Sequence, residues 1–219
     1  MIPSGDLSEL GFIRNGIVEV IVSTFDEDHR PHAAPMGAST EDMRSIILKP
    51  FKSSQTYRNI LRWRSGVANI TSDPLLFYRT VFKDSNPGGE LPKEWFAKAS
   101  TVDAPRMINT DVCIDLLVTD IEESEDRAQI LCRVESTLML NHSYLPHVYN
   151  RAAPAVIESL IHATRIEAHL NAGKPENAED LINLVEHYCR LVERIAPDST
   201  YSEMMDDIWR RITLWRRIG

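Results

Sequence analysis

Two hydrophobic periodicities divide the chain. Up to about residue 140 the apolar positions alternate or run in short β-branched stretches; beyond residue 146 they recur every three or four residues. Over 16–24, Val18, Val20 and Val22 alternate with Ile17, Glu19, Ile21 and Ser23. This predicts a strand with both faces partly apolar, hence covered on both sides. Residues 26–31 form a polar turn cluster, and 31–39 reads as the second strand of a hairpin. Pro31 and Pro35 suit an edge or interrupted strand, because proline cannot donate to the ladder. A third strand covers 44–48. A helix follows over 53–63: Ser53 or Ser54 can cap it, Tyr57, Ile60, Leu61 and Arg64 fall at helical spacing, and Gly66 is expected to end it. Residues 67–71 read as a fourth strand, stopped by Asp73 and Pro74. The stretch 83–104 is loop-rich, with a short helix near Trp95. Two long alternating segments, 111–122 and 127–140, joined by a turn over 122–127, predict a second antiparallel hairpin.

From Pro146 the pattern is helical. Val156, Ile157, Leu160, Ile161 and Thr164 form one stripe, ended near Gly173; Leu181, Leu184, Val185, Tyr188 and Val192 form another, stopped by Pro197. Thr200 and Glu203 read as a capping box for a third helix carrying Met204, Ile208, Ile212 and Trp215 inward. Arg210, Arg211, Arg216 and Arg217 crowd its last turns, where cations complement the helix dipole. Strands followed by helices predict an α+β protein, with helices to one side of an antiparallel barrel or sheet. The expected division is a barrel domain over 1–145 and a helical extension over 146–219, packed on the barrel or at a dimer interface.

Composition narrows the function classes. Of 219 residues, 43% are hydrophobic and 26% charged, ordinary for a globular chain. Lys plus Arg is 24 against 32 Asp plus Glu, a net charge of −8 that disfavours nucleic acid and anionic membranes as partners. Three cysteines without short metal spacing, Cys113, Cys132 and Cys189, argue against a disulfide framework or zinc ribbon and fit a reducing compartment. The acidic N-terminus lacks a signal-peptide core, and no apolar run reaches the length of a membrane span, so a cytoplasmic location is expected.

Candidate chemistry is sparse. Glu158, His162 and His169 share a helical face, but no HExxH motif or cysteine partner accompanies them, and they read as a solvated or partly buried face; no metal site is expected. There is no GxSxG elbow, Walker A motif or GxGxxG. Cys113 and Cys132 fall at buried phase on strands and read as small hydrophobes. The informative segment is 48–59, a strand running into a helix with Lys49, Lys52, Ser53, Ser54 and Thr56 in the turn. Free backbone N–H groups, a positive dipole end, hydroxyls and lysine together make a phosphate site. The same residues also make an ordinary N-cap flanked by surface lysines.

Thr56 to Ile60, followed by Gly66 to Thr71, is similar to the T-x-x-N-I/L … G-x-x-V-x-N segment of FMN-binding split-barrel proteins, the flavin reductase-like class. Upstream, Ser23 and Thr24 followed by Ala34, Pro35, Met36 and Gly37 resemble that class's first hairpin, though the turn lacks the glycine expected after Asp26 and reads as one residue longer. With Asn150, Arg151 and Ala152, and then Ile161 to Arg165, the whole chain resembles the branch termed domain of unknown function 447. The resemblance implies an antiparallel, Greek-key type split barrel with a C-terminal helical extension. It implies a homodimer with FMN near the interface, Pro35, Met36 and Gly37 beside the ring, and Lys49, Ser53, Ser54 and Thr56 at the phosphate. Phe51 and Asn69 would line the same pocket, while Asn150, Arg151 and Arg165 would reach the flavin or the partner, or else cap helices and form salt bridges. The activity implied is hydride or electron transfer between NAD(P)H or another donor and a small acceptor, with no general acid or base required. Flavin binding without turnover, or a scaffold that has lost the cofactor, are the alternatives.

Overall fold

The computed structural model describes residues 6–140 and 147–218. Eight strands and five helices follow in chain order: β1 (Ile17–Phe25), β2 (Pro31–Ser39), β3 (Ser45–Leu48), α1 (Gln55–Trp63), β4 (Ser65–Ile70), α2 (Pro74–Val81), β5 (Phe96–Lys98), β6 (Pro105–Met107), β7 (Val112–Glu123), β8 (Ala128–Met139), α3 (Ala152–Asn171), α4 (Glu179–Ile195) and α5 (Thr200–Ile218). Six strands close into a barrel in the order β1-β2-β3-β8-β7-β4, and β5 pairs with β6 in a separate two-stranded sheet. The β1–β4, β2–β3, β3–β8, β4–β7, β5–β6 and β7–β8 pairings are antiparallel, with Ile21 opposite Asn69 on β1–β4 and Ile46 opposite Cys132 on β3–β8.

The alternation seen in the sequence explains the barrel. Val18, Val20 and Val22 point inward with Ile46, Leu48, Ile70, Ile114, Leu116 and Ile130 to fill its core. The opposite face of β1 is covered too: Ile21 packs with Ala33, Leu76 and Met107 in a second cluster outside the barrel. Tyr57 and Ile60 of α1 reach the main core, so this helix packs its apolar face on the barrel.

Two local expectations change. Helix α1 ends at Arg64, which adopts a left-handed φ of 53° and returns its N–H to the Ile60 carbonyl. Gly66 lies inside β4 instead, where a Cβ would meet the Ser23 carbonyl oxygen at 3.3 Å; glycine is there for close approach of two strands. Asp73 and Pro74 do not merely stop β4. The Asp73 side chain accepts from Leu75 N–H and Pro74 occupies the first turn, so they start α2. In the first hairpin the left-handed position falls to His29, at φ 60°, whose ring stacks on Phe25 at 4.2 Å. The short helix expected near Trp95 is a 3-10 turn over Lys93–Trp95.

The described residues form two compact units, one within Met1–Arg14 and Val18–Tyr149 and the other within Asn15–Ile17 and Asn150–Gly219. In the second unit α3 shows a different face from the one its large residues suggested. Ala152, Ala155, Val156, Ser159, Ala163 and Ile166 are buried, whereas Ile157, Leu160 and Ile161 are exposed. Small side chains let α3 approach its neighbours closely, leaving the bulkier ones outside. On α5, Met205, Ile208 and Ile212 are buried and Met204 is exposed.

Candidate functional site

The turn between β3 and α1 is fastened to the far end of the β7–β8 hairpin. Lys52 N–H donates to the Asp126 carbonyl (3.0 Å), Ala128 N–H to the Pro50 carbonyl (3.1 Å), and Arg127 Nη1 to the Lys49 carbonyl (2.9 Å). The Arg127 guanidinium lies 3.7 Å from the centre of the Phe51 ring. Phe51 is nevertheless 51% exposed. Lys52 Nζ pairs with Glu123 at 2.9 Å, and the same carboxylate accepts from Tyr57 Oη at 2.6 Å. These two hydrogen bonds, Tyr57 first, hold the Glu123 carboxyl below its usual range. Lys52 is therefore engaged, whereas Lys49 stands exposed beside it.

At the helix start Ser54 is the N-cap, its Oγ accepting from Tyr57 N–H at 3.2 Å. Ser53 is exposed, and Thr56 is buried at the first turn. Arg58 ties the turn together, donating to the Ser53 carbonyl (2.8 Å) and to Gln55 Oε1 (2.7 Å). Gln55 donates on to Asn59, and Asn59 to Thr24 Oγ1 on β1. The helix N-terminus is thus held to both β1 and the β7–β8 hairpin.

On β2, Pro35, Met36 and Gly37 are half-buried. The β2–β3 register begins only at Ala38, so these three residues lie off that ladder. Met36 turns its side chain against the barrel core. The segment offers main chain, Pro35 and Gly37 at the surface.

Asn69 takes a different role from the one implied by resemblance. It is fully buried, and its amide donates to the Ile21 carbonyl, Ser23 Oγ and the Val67 carbonyl at 2.8–3.1 Å. Its Oδ1 accepts from Met107 N–H at 2.8 Å and from Cys113 Sγ at 3.5 Å. With every polar atom used inside the protein, Asn69 braces the strands behind the site and does not line a pocket. Arg151 precedes α3 and belongs to the second unit; Asn150 Oδ1 accepts from Ala152 N–H at 2.7 Å, a capping role. Burial pushes the Cys113 thiol up to about 11 and the Cys132 thiol up to about 12, so neither is a thiolate at neutral pH. Among the described residues no group of three His, Cys, Asp or Glu is placed to hold a metal. Among them, too, no helix is long and apolar enough to cross a membrane.

One feature escaped the motif reading. The turn after β1, the start of β2, Gln55 and the segment 83–91 enclose a cleft of about 270 Å³. His32 and Lys83 contribute to its wall. The only sequence signal was a histidine between Pro31 and Ala33 in an otherwise small, apolar strand.

Several solved structures are similar to this chain. The crystal structure of an FMN-bound protein of the DUF447 family from Methanosarcina mazei is 26% identical and covers 94% of this chain and 100% of that one, with a TM-score of 0.55. Flavoredoxin of Desulfovibrio vulgaris is 20% identical over 61% of this chain and 78% of that one, with a TM-score of 0.47. The styrene monooxygenase flavin reductase of Pseudomonas putida is 10% identical over 61% and 84%, at 0.46. Residues 18–141 match the family model "Protein of unknown function (DUF447) N-terminal domain", and residues 150–209 match its companion "Protein of unknown function (DUF447)". A six-stranded antiparallel barrel followed by three helices, matched by both family models in that order, makes this chain a member of the DUF447 family.

Proposed function

We propose that the barrel unit binds FMN and serves an oxidoreductase reaction of the flavin reductase type. The observation that carries this reading is the likeness to the FMN-bound Methanosarcina mazei protein, which runs over 94% of this chain and the whole of the other. The residues present suit the cofactor. Phe51 exposes an aromatic ring, Pro35 and Gly37 are accessible on β2, and Lys49 and Ser53 place a cation and a hydroxyl beside the start of α1. The first-turn N–H groups lack partners within the helix, and the dipole there favours an anion.

In this reading Lys49, Ser53 and Ser54 hold the phosphate with their side chains. Thr56 contributes its main-chain N–H, because its side chain is buried. The Ser54 hydroxyl still has its own proton to donate while its oxygen caps the helix. Bound FMN supplies the hydride and electron chemistry. The chain's part is to orient the ring, to shield one face of it, and to set the main chain of Met36 and Gly37 where negative charge on the ring is stabilised. The donor is NAD(P)H or another small reductant, and the working form is a homodimer.

The test is spectroscopic. Purified protein should be yellow or take up FMN, and anaerobic NAD(P)H should bleach the flavin band. Riboflavin should bind more weakly than FMN. Changing Lys49→Ala together with Ser53→Ala should weaken FMN on the order of 100-fold, since each charge-assisted bond is worth roughly 1.5–3 kcal/mol. Colour without bleaching would leave a flavin-binding protein without turnover. A colourless protein that takes up no FMN would overturn the proposal.

A further inference from the structure

The cleft beside His32 carries its own chemistry. His32 Nδ1 is buried and has no hydrogen-bond partner. A buried polar atom left without a partner is costly, so a native protein that keeps one usually has a use for it. Lys83, which lines the same cleft, is itself half-buried, and among the described residues no carboxylate pairs with it. Burial alone lowers its pKa.

The other charged groups facing the histidine fix the sign of the site. Asp26, in the turn after β1, is already taken: its carboxylate accepts from Arg30 Nε (3.0 Å) and from the N–H groups of Asp28 (2.9 Å) and Arg30 (2.8 Å). Glu90, from the 83–91 segment, is exposed at the rim. Arg58, from α1, adds positive charge within range of the imidazole. The inner wall thus holds an uncommitted ammonium and an uncommitted imidazole nitrogen, while the nearest carboxylate is neutralised by its own arginine.

We propose that this cleft is a phosphate-binding subsite, with His32 Nδ1 and the Lys83 ammonium as its donors. The ligand class is a phosphate monoester or inorganic phosphate. The phosphate belongs to a second phosphorylated molecule, such as the dinucleotide that delivers the hydride, or to the flavin itself, which would then not seat its phosphate at the start of α1. The cleft does not depend on the flavin reading, because its donors are present in the chain alone. Burial first, then Lys83 and Arg58, hold His32 down to about 4, with Asp26 acting the other way. An incoming dianion reverses that field, so binding should draw a proton onto the ring or order its Nδ1–H tautomer.

The experiment is an NMR titration of the histidine ring nitrogens in the full-length protein, first freed of flavin. Inorganic phosphate should move the His32 resonances and raise its pKa by about one unit or more. The Lys83→Gln variant should weaken that response about tenfold. His32→Asn identifies the resonance. Flavin-binding titrations then separate the sources. If the flavin's own phosphate sits here, Lys83→Gln reduces the preference for FMN over riboflavin about tenfold. If a second molecule's phosphate sits here, that preference is unchanged, and inorganic phosphate still moves His32 in FMN-loaded protein. A chain that binds no flavin but whose His32 responds to phosphate would sink the flavin proposal and leave this one standing. His32 resonances unmoved by tens of millimolar phosphate, with and without FMN, would overturn the subsite.

Discussion

A single amide does more to hold the barrel than any charged residue near it. Asn69 links β1, β4 and the Met107 end of β6 through five hydrogen bonds in a fully buried position. Replacing Asn69 with Leu strands the buried Met107 N–H and removes a donor from the Ser23 hydroxyl, which keeps its own bond to the Pro105 carbonyl. We expect a loss of about 3 kcal/mol in urea unfolding, because each buried unsatisfied group costs about 1–3 kcal/mol. His32 makes a second residue-level prediction, with a definite sign. Its folded-state pKa, about 4, lies below the ordinary 6.5, so between those values the unfolded chain binds the proton and the folded chain does not. Stability should therefore fall as pH drops from about 6.5 to about 4, by on the order of 3 kcal/mol in total. His32→Asn should remove that part of the slope, as measured by denaturation at a series of pH values.

Among the elements, the segment between β5 and β6 depends on one buried carboxylate. Asp115 Oδ2, on β7, accepts from Ser100 N–H (3.0 Å), Thr101 N–H (2.8 Å), Thr101 Oγ1 (2.9 Å) and Ser136 Oγ (3.3 Å). All four bonds fall on Oδ2, and Oδ1 is buried without a hydrogen-bond partner. Asp115→Ala should speed amide exchange at Ser100 and Thr101 well before global unfolding, since the loop loses its only anchor of this kind among the described residues. The start of α1 is a milder case: Ser54→Ala removes the cap on Tyr57 N–H and should cost about 1 kcal/mol. Gly11 marks the opposite extreme. It sits at φ +80°, and a Cβ there would approach His147 Cδ2 to 2.8 Å, so no other residue fits without moving that ring.

For the whole molecule, assembly is the open property. Apolar side chains stand exposed on α2, at Leu75, Tyr78, Val81 and Phe82, and on α3, at Ile157, Leu160 and Ile161. Scattered exposed apolar residues are ordinary, but sets of this kind on one helix mark contact surfaces. They support the proposed homodimer, for which light scattering at micromolar concentration should give twice 24.9 kDa. A monomer would remove that part of the proposal and leave FMN binding to be judged by its own titration.

The sequence by itself determined the order of the six barrel strands along the chain, of α1 and of the three C-terminal helices; α2 and the short β5 and β6 were not read from it. Alternation over 17–23 and again over 112–139 was enough to place strands, because a barrel wall needs one face dry and β1 needs two. The start of α1 after the turn at 49–54 was also legible, since helix N-termini announce themselves through capping hydroxyls. The tertiary structure decided the rest. Periodicity cannot say which side of an apolar helix meets its neighbours, and in α3 close approach selected the alanines over Ile157 and Leu160. A capping signature was present at Asp73 and Pro74, yet the same two residues also end strands, and only the packing of Leu76 against Ala33 and Met107 distinguishes the cases. Asn69 reads identically in a motif whether it faces a ligand or three strands. His32 and Lys83 are 51 positions apart in the sequence, and no local pattern brings them together. It is the fold that brings the 83–91 segment to the start of β2, so that an unpartnered imidazole nitrogen and an unpaired ammonium share one cleft.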